Sequence, residues 1–202
     1  MPVKPSAFKI LYLVSFVEGG ALMAVELLGA KMIAPYYGTS IYVWSAVLAC
    51  TLGGLALGYL FGGILSQKYA GQKLLYGVVA LSALVTFLLP LSGNFIMELT
   101  MSMPLKAGIT LSAMVILSPP VLLFGMVSPM IIELLAGSAS TVGRVAGTVY
   151  AISTVGGICA TFLTGFYLAP FVGIKESAWL MGGLLAIWPL LYLGLRWAGK
   201  GR

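Results

Sequence analysis

Residues 26–40 read Glu-Leu-Leu-Gly-Ala-Lys-Met-Ile-Ala-Pro-Tyr-Tyr-Gly-Thr-Ser, residues 53–63 read Gly-Gly-Leu-Ala-Leu-Gly-Tyr-Leu-Phe-Gly-Gly, and residues 66–73 close the stretch with Ser-Gln-Lys-Tyr-Ala-Gly-Gln-Lys. A carboxylate and a lysine interrupt one apolar run, a glycine-rich run follows, and a basic turn ends it. Each apolar run has the length of a membrane span, about 20 residues. An ionisable group at that depth costs roughly 2.5 to 3.5 kcal/mol on insertion scales, which makes Glu26 a candidate functional residue.

The rest of the chain agrees with a membrane setting. Of 202 residues, 60% are hydrophobic and 8% charged, against about 25% charged in soluble domains. Apolar windows bounded by charges, glycines or prolines predict six spans, at about 8–33, 41–66, 73–92, 107–135, 145–169 and 175–197. The fold class is therefore all-α, a polytopic membrane protein forming a single domain over residues 1–202. The fourth span carries Pro119, Pro120 and Pro129, which remove backbone donors and predict a kink. Residues 93–106 are too few to cross, and Phe95, Ile96, Leu99 and Met103 could share one face of an interfacial helix. The first run continues to about Ala34 without a short apolar core and cleavage site, so no cleavable leader is expected.

Charge placement predicts orientation. With the N-terminus in the cytoplasm, Lys4, Lys9, Lys68, Lys73, Arg144, Arg196, Lys200 and Arg202 lie inside, against Lys31, Lys106 and Lys175 outside. The excess of basic residues inside sets both termini as cytoplasmic. It also accounts for the net charge of +6 as a topology signal, without nucleic acid as a partner. Tyr36, Tyr37, Tyr42, Trp44, Tyr167 and Trp179 are expected near the outer surface, and Tyr12, Tyr69, Tyr76, Tyr192 and Trp197 near the inner one.

Small residues mark helix contacts. Gly54, Gly58 and Gly62 recur every fourth residue in span two, and Gly157, Thr161 and Gly165 do so in span five, with Gly156, Ala160 and Thr164 alongside. The two helices are candidates either for direct partners or for counterparts in a three-plus-three repeat. Such stripes serve a sliding contact or ordinary tight packing, and the second is the commoner use.

The candidate binding residues are Glu26, Glu18 and Lys31. Glu18 and Glu26 are separated by about 12 Å along the helix and roughly 80° around it, so they can look into one cavity without touching. Lys31 stands about 140° round from Glu26, a poor angle for an ion pair within the helix, and its stem is free to snorkel outward or meet another helix. The acids could hold a cationic solute or a proton, or they could serve packing through hydrogen bonds to hydroxyls and backbone. Glu133 and Arg144 flank an inner turn and suggest an interfacial salt bridge. The chain has neither Asp nor His, no Gly-x-Ser-x-Gly elbow and no strand-linked Gly-x-Gly-x-x-Gly, so no catalytic, metal or cofactor set is expected. Cys50 and Cys159 both fall in apolar segments, as packing residues do.

Four blocks carry a resemblance to a known family: Glu26 to Gly38 with Lys31, Leu52 to Gly63, Ser118 to Pro129 (Ser-Pro-Pro-Val-Leu-Leu-Phe-Gly-Met-Val-Ser-Pro), and Gly143 to Gly173. The last opens Gly-Arg-Val-Ala-Gly-Thr-Val-Tyr-Ala-Ile-Ser-Thr-Val-Gly-Gly and ends Gly-Phe-Tyr-Leu-Ala-Pro-Phe-Val-Gly. Together they resemble the membrane domain of spermidine synthase-like proteins, a major-facilitator-like module usually fused to an aminopropyltransferase. Lys31 replaces the family's commoner Arg, Gln67 stands where the facilitator loop has Asp, and Ser153 stands where Asn is common before Thr154. The resemblance implies six transmembrane helices like one half of a major-facilitator bundle, in a bacterial inner membrane. The sequence ends at Arg202, so the synthase domain and its enzyme activity are not expected in it. The expected function is binding or transport of a small cation such as a polyamine. The alternative is a non-transporting structural subunit or anchor. Expected partners are the lipid bilayer, a second copy or another membrane protein, and a separate soluble synthase.

Overall fold

The computed structural model describes residues 5–69 and 71–198, so Lys4, Ala70, Lys200 and Arg202, named above in the charge and turn readings, lie outside the described residues. The described chain is all-helical: α1 (Pro5–Tyr37), α2 (Ile41–Lys68), α3 (Gln72–Thr100), α4 (Leu105–Leu135), α5 (Ala139–Leu163, continued by a π-helical segment Thr164–Val172) and α6 (Ile174–Ala198). All six are long and apolar enough to cross a membrane. The protein is an integral membrane protein by this measure, with apolar surface compatible with lipid contact.

Local chemistry explains most of the boundaries. α1 stops where Gly38 adopts φ +75° and its amide closes on the Ala34 carbonyl at 2.8 Å, the left-handed cap that glycine takes at little steric cost. α5 ends at Gly173, φ +105°, whose amide reaches the Leu168 carbonyl at 2.9 Å. That bond spans five residues and belongs to the π spiral. Pro170 lies within this segment, and in an α register its ring would press on the carbonyl four residues back. Widening the spiral relieves that conflict.

Two expectations about the elements need correction. The segment 93–106 does not form a separate interfacial helix, because α3 runs unbroken through Pro90 and Gly93 to Thr100. Buried Gly93, Met97 and Thr100 tie this last stretch to the bundle, while Phe95, Leu99 and Met103 stay exposed. Thr100 and Ser112 share a buried hydroxyl hydrogen bond of 2.7 Å that fastens α3 to α4. Pro119, Pro120 and Pro129 all lie inside α4, which stays helical from Leu105 to Leu135. Span five reaches Val172 rather than residue 169, through the π segment.

The helices pack as two related halves. α2 lies along α4 and α5 along α1, α3 packs on α6, and α1 meets α4 at the centre. Exchanging α1 with α4, α2 with α5 and α3 with α6 maps each of these seams onto another or onto itself, as it does α3·α4 with α1·α6 and α1·α2 with α4·α5. Two slighter contacts, α1 with α3 and α6 with the π segment, lack a counterpart. Counterpart helices stand three spans apart and so run in opposite directions, the arrangement of an inverted repeat.

The match extends to single residues. On α4, Gly125 lies under α2 so closely that a Cβ there would stand 2.9 Å from the Leu55 carbonyl and 3.0 Å from Gly58 Cα. On α1, Gly19 lies under α5 in the same way, against the Ser153 carbonyl. Gly58 in turn abuts the Leu122 carbonyl, and Gly156 abuts the Phe16 carbonyl. Leu122 and Phe16 each precede their glycine by three residues, as do Leu55 and Ser153. One backbone device, with glycine on both sides, is therefore built twice.

The glycine stripes accordingly act as counterparts. α2 and α5 do not share a substantial seam with each other. Gly54, Gly58 and Gly62 are buried against Val121, Gly125 and Met126 of α4. In α5 the packed residues are Gly156 and Gly157, against Phe16, Gly19 and Met23 of α1; Gly165 is exposed with nothing close, and Thr161 turns its hydroxyl to the Gly157 carbonyl at 2.8 Å.

Apolar packing fills both ends of the bundle. One cluster joins Val25 and Ile33 of α1 to Val47, Met97, Leu117 and Phe124, and a second joins Leu11 and Val14 of α1 to Leu75, Val79, Val127 and Ile131. Aromatic contacts lie at both ends of the bundle, with Lys106 over the Tyr42 ring at 5.1 Å and Lys175 over Trp179 at 4.6 Å at one end, and Tyr76 stacked on Tyr192 at 4.5 Å near the other.

Candidate functional site

Between α1, α2 and α5 the bundle leaves a cleft, because α2 and α5 each hold to a different central helix. The cleft contains a cavity of about 320 Å³ lined by Gly19 and Met23 of α1, Tyr59 of α2, and Tyr150, Ser153, Thr154, Gly157, Thr161 and Phe162 of α5. Tyr59 and Tyr150 meet edge to face at 6.1 Å between ring centres. The lining is largely apolar, with Leu22 and Ile158 completing it, and the hydroxyls and tyrosine rings are its polar features.

Glu18 stands directly behind this wall. It is 2% exposed, and Ser153 donates its hydroxyl to the carboxylate at 3.5 Å, across from α5 to α1. Gly19, the next residue, is what lets the Ser153 backbone come so near. A second buried hydroxyl, Ser15, donates to the Val149 carbonyl at 3.1 Å one turn below, fixing the same two helices.

The counterpart seam shows what packing alone requires. Phe124 precedes Gly125 as Glu18 precedes Gly19, and Leu55 takes the place of Ser153. Phe124 is fully buried there. The same backbone contact is therefore built around an apolar pair on one side of the molecule and a carboxylate and hydroxyl on the other.

The other candidates fall elsewhere. Glu26 is 7% exposed and has no hydrogen-bond partner among the described residues, and it does not line the cavity beside Glu18. Lys31 is exposed and borders a small hollow of about 60 Å³ at the α1–α2 turn with Trp44 and Thr39. Glu133 and Arg144 are both exposed and form no ion pair with each other, contrary to the expected salt bridge. Among the described residues there is no cluster of side chains able to hold a metal ion, and Cys50 and Cys159 are free thiols.

Sequence reasoning placed weight on Glu26 and missed Ser153, Tyr59 and Tyr150 as companions of Glu18. The available signal was the glycine pair Gly19–Gly20 beside Glu18 together with Gly156–Gly157 one turn after Ser153. No family model matches the chain, and neither a curated protein nor a solved structure matches it.

Proposed function

We propose that the protein is a membrane module that binds a small organic cation in the cleft between α1, α2 and α5, with Glu18 supplying the negative charge and Ser153 relaying it to the cavity. The observation that carries this reading is that Glu18 is joined through Ser153 to a largely apolar cavity bearing Tyr59 and Tyr150, where the counterpart seam manages with Phe124. A carboxylate that packing does not require, placed at membrane depth, is best explained by a ligand. Tyr59 and Tyr150 offer ring faces that attract a cation further. A polyamine is the substrate that the resemblance to spermidine synthase-like membrane domains suggests, supplied or consumed by a separate synthase, and the inverted repeat fits a transport role. The resemblance suggests a bacterial inner membrane, and the charge bias described above suggests that both termini lie in the cytoplasm.

Binding of spermidine to the full chain in mild detergent, followed by calorimetry, tests the site. Glu18→Gln abolishes binding while helicity and thermal unfolding stay near the parent's, and Glu26→Gln weakens it less. Undiminished affinity in Glu18→Gln sinks the proposal.

A second reading, a structural subunit that assembles with its own kind, has support of its own. Ser45, Ala49 and Gly53 on α2 and Gly143, Gly147 and Ala151 on α5 are exposed, and both stripes of small residues are without close neighbours at their glycines. Stripes of this kind let helices approach in lipid. In that arrangement Gly53→Leu with Gly147→Leu yields monomers by light scattering, where the parent runs as a dimer; a monomeric parent removes this reading.

A further inference from the structure

The end of the bundle that carries the α4–α5 turn also receives the α2–α3 turn, the start of α1 and the end of α6. Among the described residues, Lys9, Lys68, Lys73, Arg144 and Arg196 are exposed there, against the single exposed acid Glu133. Lys9, Lys68, Lys73 and Arg196 stand near helix ends, outside the Arg144 cavity. Arg144 differs. It lines a cavity of about 460 Å³ together with Tyr12 of α1 and Ser138, Thr141 and Thr148 at the start of α5.

The lining is chemically one-sided. Arg144 supplies up to five N–H donors in a planar fork and forms no ion pair with Glu133. Ser138, Ser140 and Thr141 form a linked set of hydroxyls, with Ser138 Oγ 3.0 Å from Ser140 Oγ and 3.3 Å from Thr141 Oγ1. Ser138 makes no side-chain cap on α5, so the leading amides of this 25-residue helix lack a side-chain acceptor. Thr141 and Thr148 turn their hydroxyl hydrogens to the Ser138 and Arg144 carbonyls at 2.9 Å, so the cavity presents one cation and the Ser138 hydroxyl as its donors, with no carboxylate in its wall.

Its position chooses among anions. The hollow lies at a helix end, where a bilayer's headgroups lie, and Leu135 and Val145 add apolar surface to its wall. The equivalent hollow at the α1–α2 turn is about 60 Å³ and largely apolar apart from Lys31 and Thr39, so the repeat itself does not demand the larger one. We propose that the Arg144 cavity holds the phosphate of an anionic phospholipid headgroup, with Arg144 and the Ser138 hydroxyl as its ligands and the acyl chains along α1 and α5. Basic pockets between transmembrane helices on the positively charged side take such headgroups. This site is independent of the Glu18 cleft.

Native mass spectrometry of the full chain in non-ionic detergent tests it, with phosphatidylglycerol, phosphatidylcholine and inorganic phosphate as probes. The parent retains phosphatidylglycerol over phosphatidylcholine, and Arg144→Gln cuts that preference about fivefold, the share expected of one cation at a membrane surface. Arg196→Gln, at the same end but outside the cavity, leaves it unchanged. Ser138→Ala lowers it as well, which provides a second readout should Arg144→Gln fold poorly. Equal phosphatidylglycerol retention in the parent and in both altered proteins overturns the site. Displacement of the lipid by millimolar inorganic phosphate overturns the lipid assignment in favour of a soluble anion.

Discussion

Glu18 and Phe124 occupy equivalent places in the two copies of one helix seam, each one residue ahead of the glycine that lets a partner helix's backbone touch its own. Phe124→Glu would give the α2–α4 seam a carboxylate without a hydroxyl opposite, since Leu55 stands there instead of Ser153. We expect it to destabilise the protein by roughly 2.5 to 3.5 kcal/mol. Adding Leu55→Ser recovers a part on the order of 0.6 kcal/mol, the average of a hydrogen bond between membrane helices. Thermal unfolding in detergent of the three proteins checks both steps. A Phe124→Glu protein as stable as the parent would show that the seam tolerates a buried acid anywhere, and would remove the contrast on which the Glu18 reading depends.

The glycine seams themselves predict a matched pair of effects. A Cβ at Gly58 would lie 2.8 Å from Gly125 Cα, and one at Gly156 would lie 3.1 Å from Phe16 Cα, with neighbouring backbone carbonyls closer still. Backbone cannot rotate away as a side chain can. Gly58→Ala and Gly156→Ala should each cost about 1 to 3 kcal/mol, the usual range for overpacking. Gly165→Ala, where nothing stands within reach, should change unfolding by less than about 0.5 kcal/mol. The same thermal series reads all three.

These contrasts show where sequence was sufficient. Six spans were legible because apolar runs of the right length are a one-dimensional property, and the Gly54–Gly58–Gly62 stripe because a single helix defines its own faces. That α5 meets Glu18 through Ser153 was not legible. Both are acids in one apolar helix, and only the approach of α5, through Gly156 and Ser153, separates them. Gly165 shared the four-residue spacing of Gly157 yet faces outward, since spacing names a stripe without naming its partner. The extension of α3 escaped notice because Ser92, Gly93 and Asn94 are turn formers in water, whereas burial of Gly93 beneath Met32 and of Met97 carries the helix onward.

The Thr100–Ser112 bond is the tie that holds this extension. Both residues are buried and their hydroxyl oxygens lie 2.7 Å apart, while Thr100 also reaches the Ile96 carbonyl at 2.9 Å. Ser112→Ala should cost about 0.6 kcal/mol and at most about 1.7 kcal/mol, the range measured for such pairs between membrane helices. A double-mutant cycle with Thr100→Val isolates the coupling. Additive effects would mean that each hydroxyl is satisfied by its own helix, and that the end of α3 is held by apolar contact alone.

Gly173 joins the π segment to α6, and two independent features resist a side chain there. Its φ of +105° lies where L residues are strained, and a Cβ would stand 2.7 Å from Glu176 Oε2. The carboxylate can swing aside, so the backbone term should dominate. Gly173→Ala is expected to cost roughly 1 to 2 kcal/mol. Glu176→Gln at the same site should cost little, because the group is exposed. Amide exchange provides the local test: the Gly173 amide, bonded to Leu168, and the Ser177 amide, bonded to the Gly173 carbonyl at 3.1 Å, should lose protection together in Gly173→Ala, while α3 and α4 keep theirs. Loss of protection throughout the bundle would instead make the π turn a support for the whole fold, since α6 could then no longer hold its seam with α3.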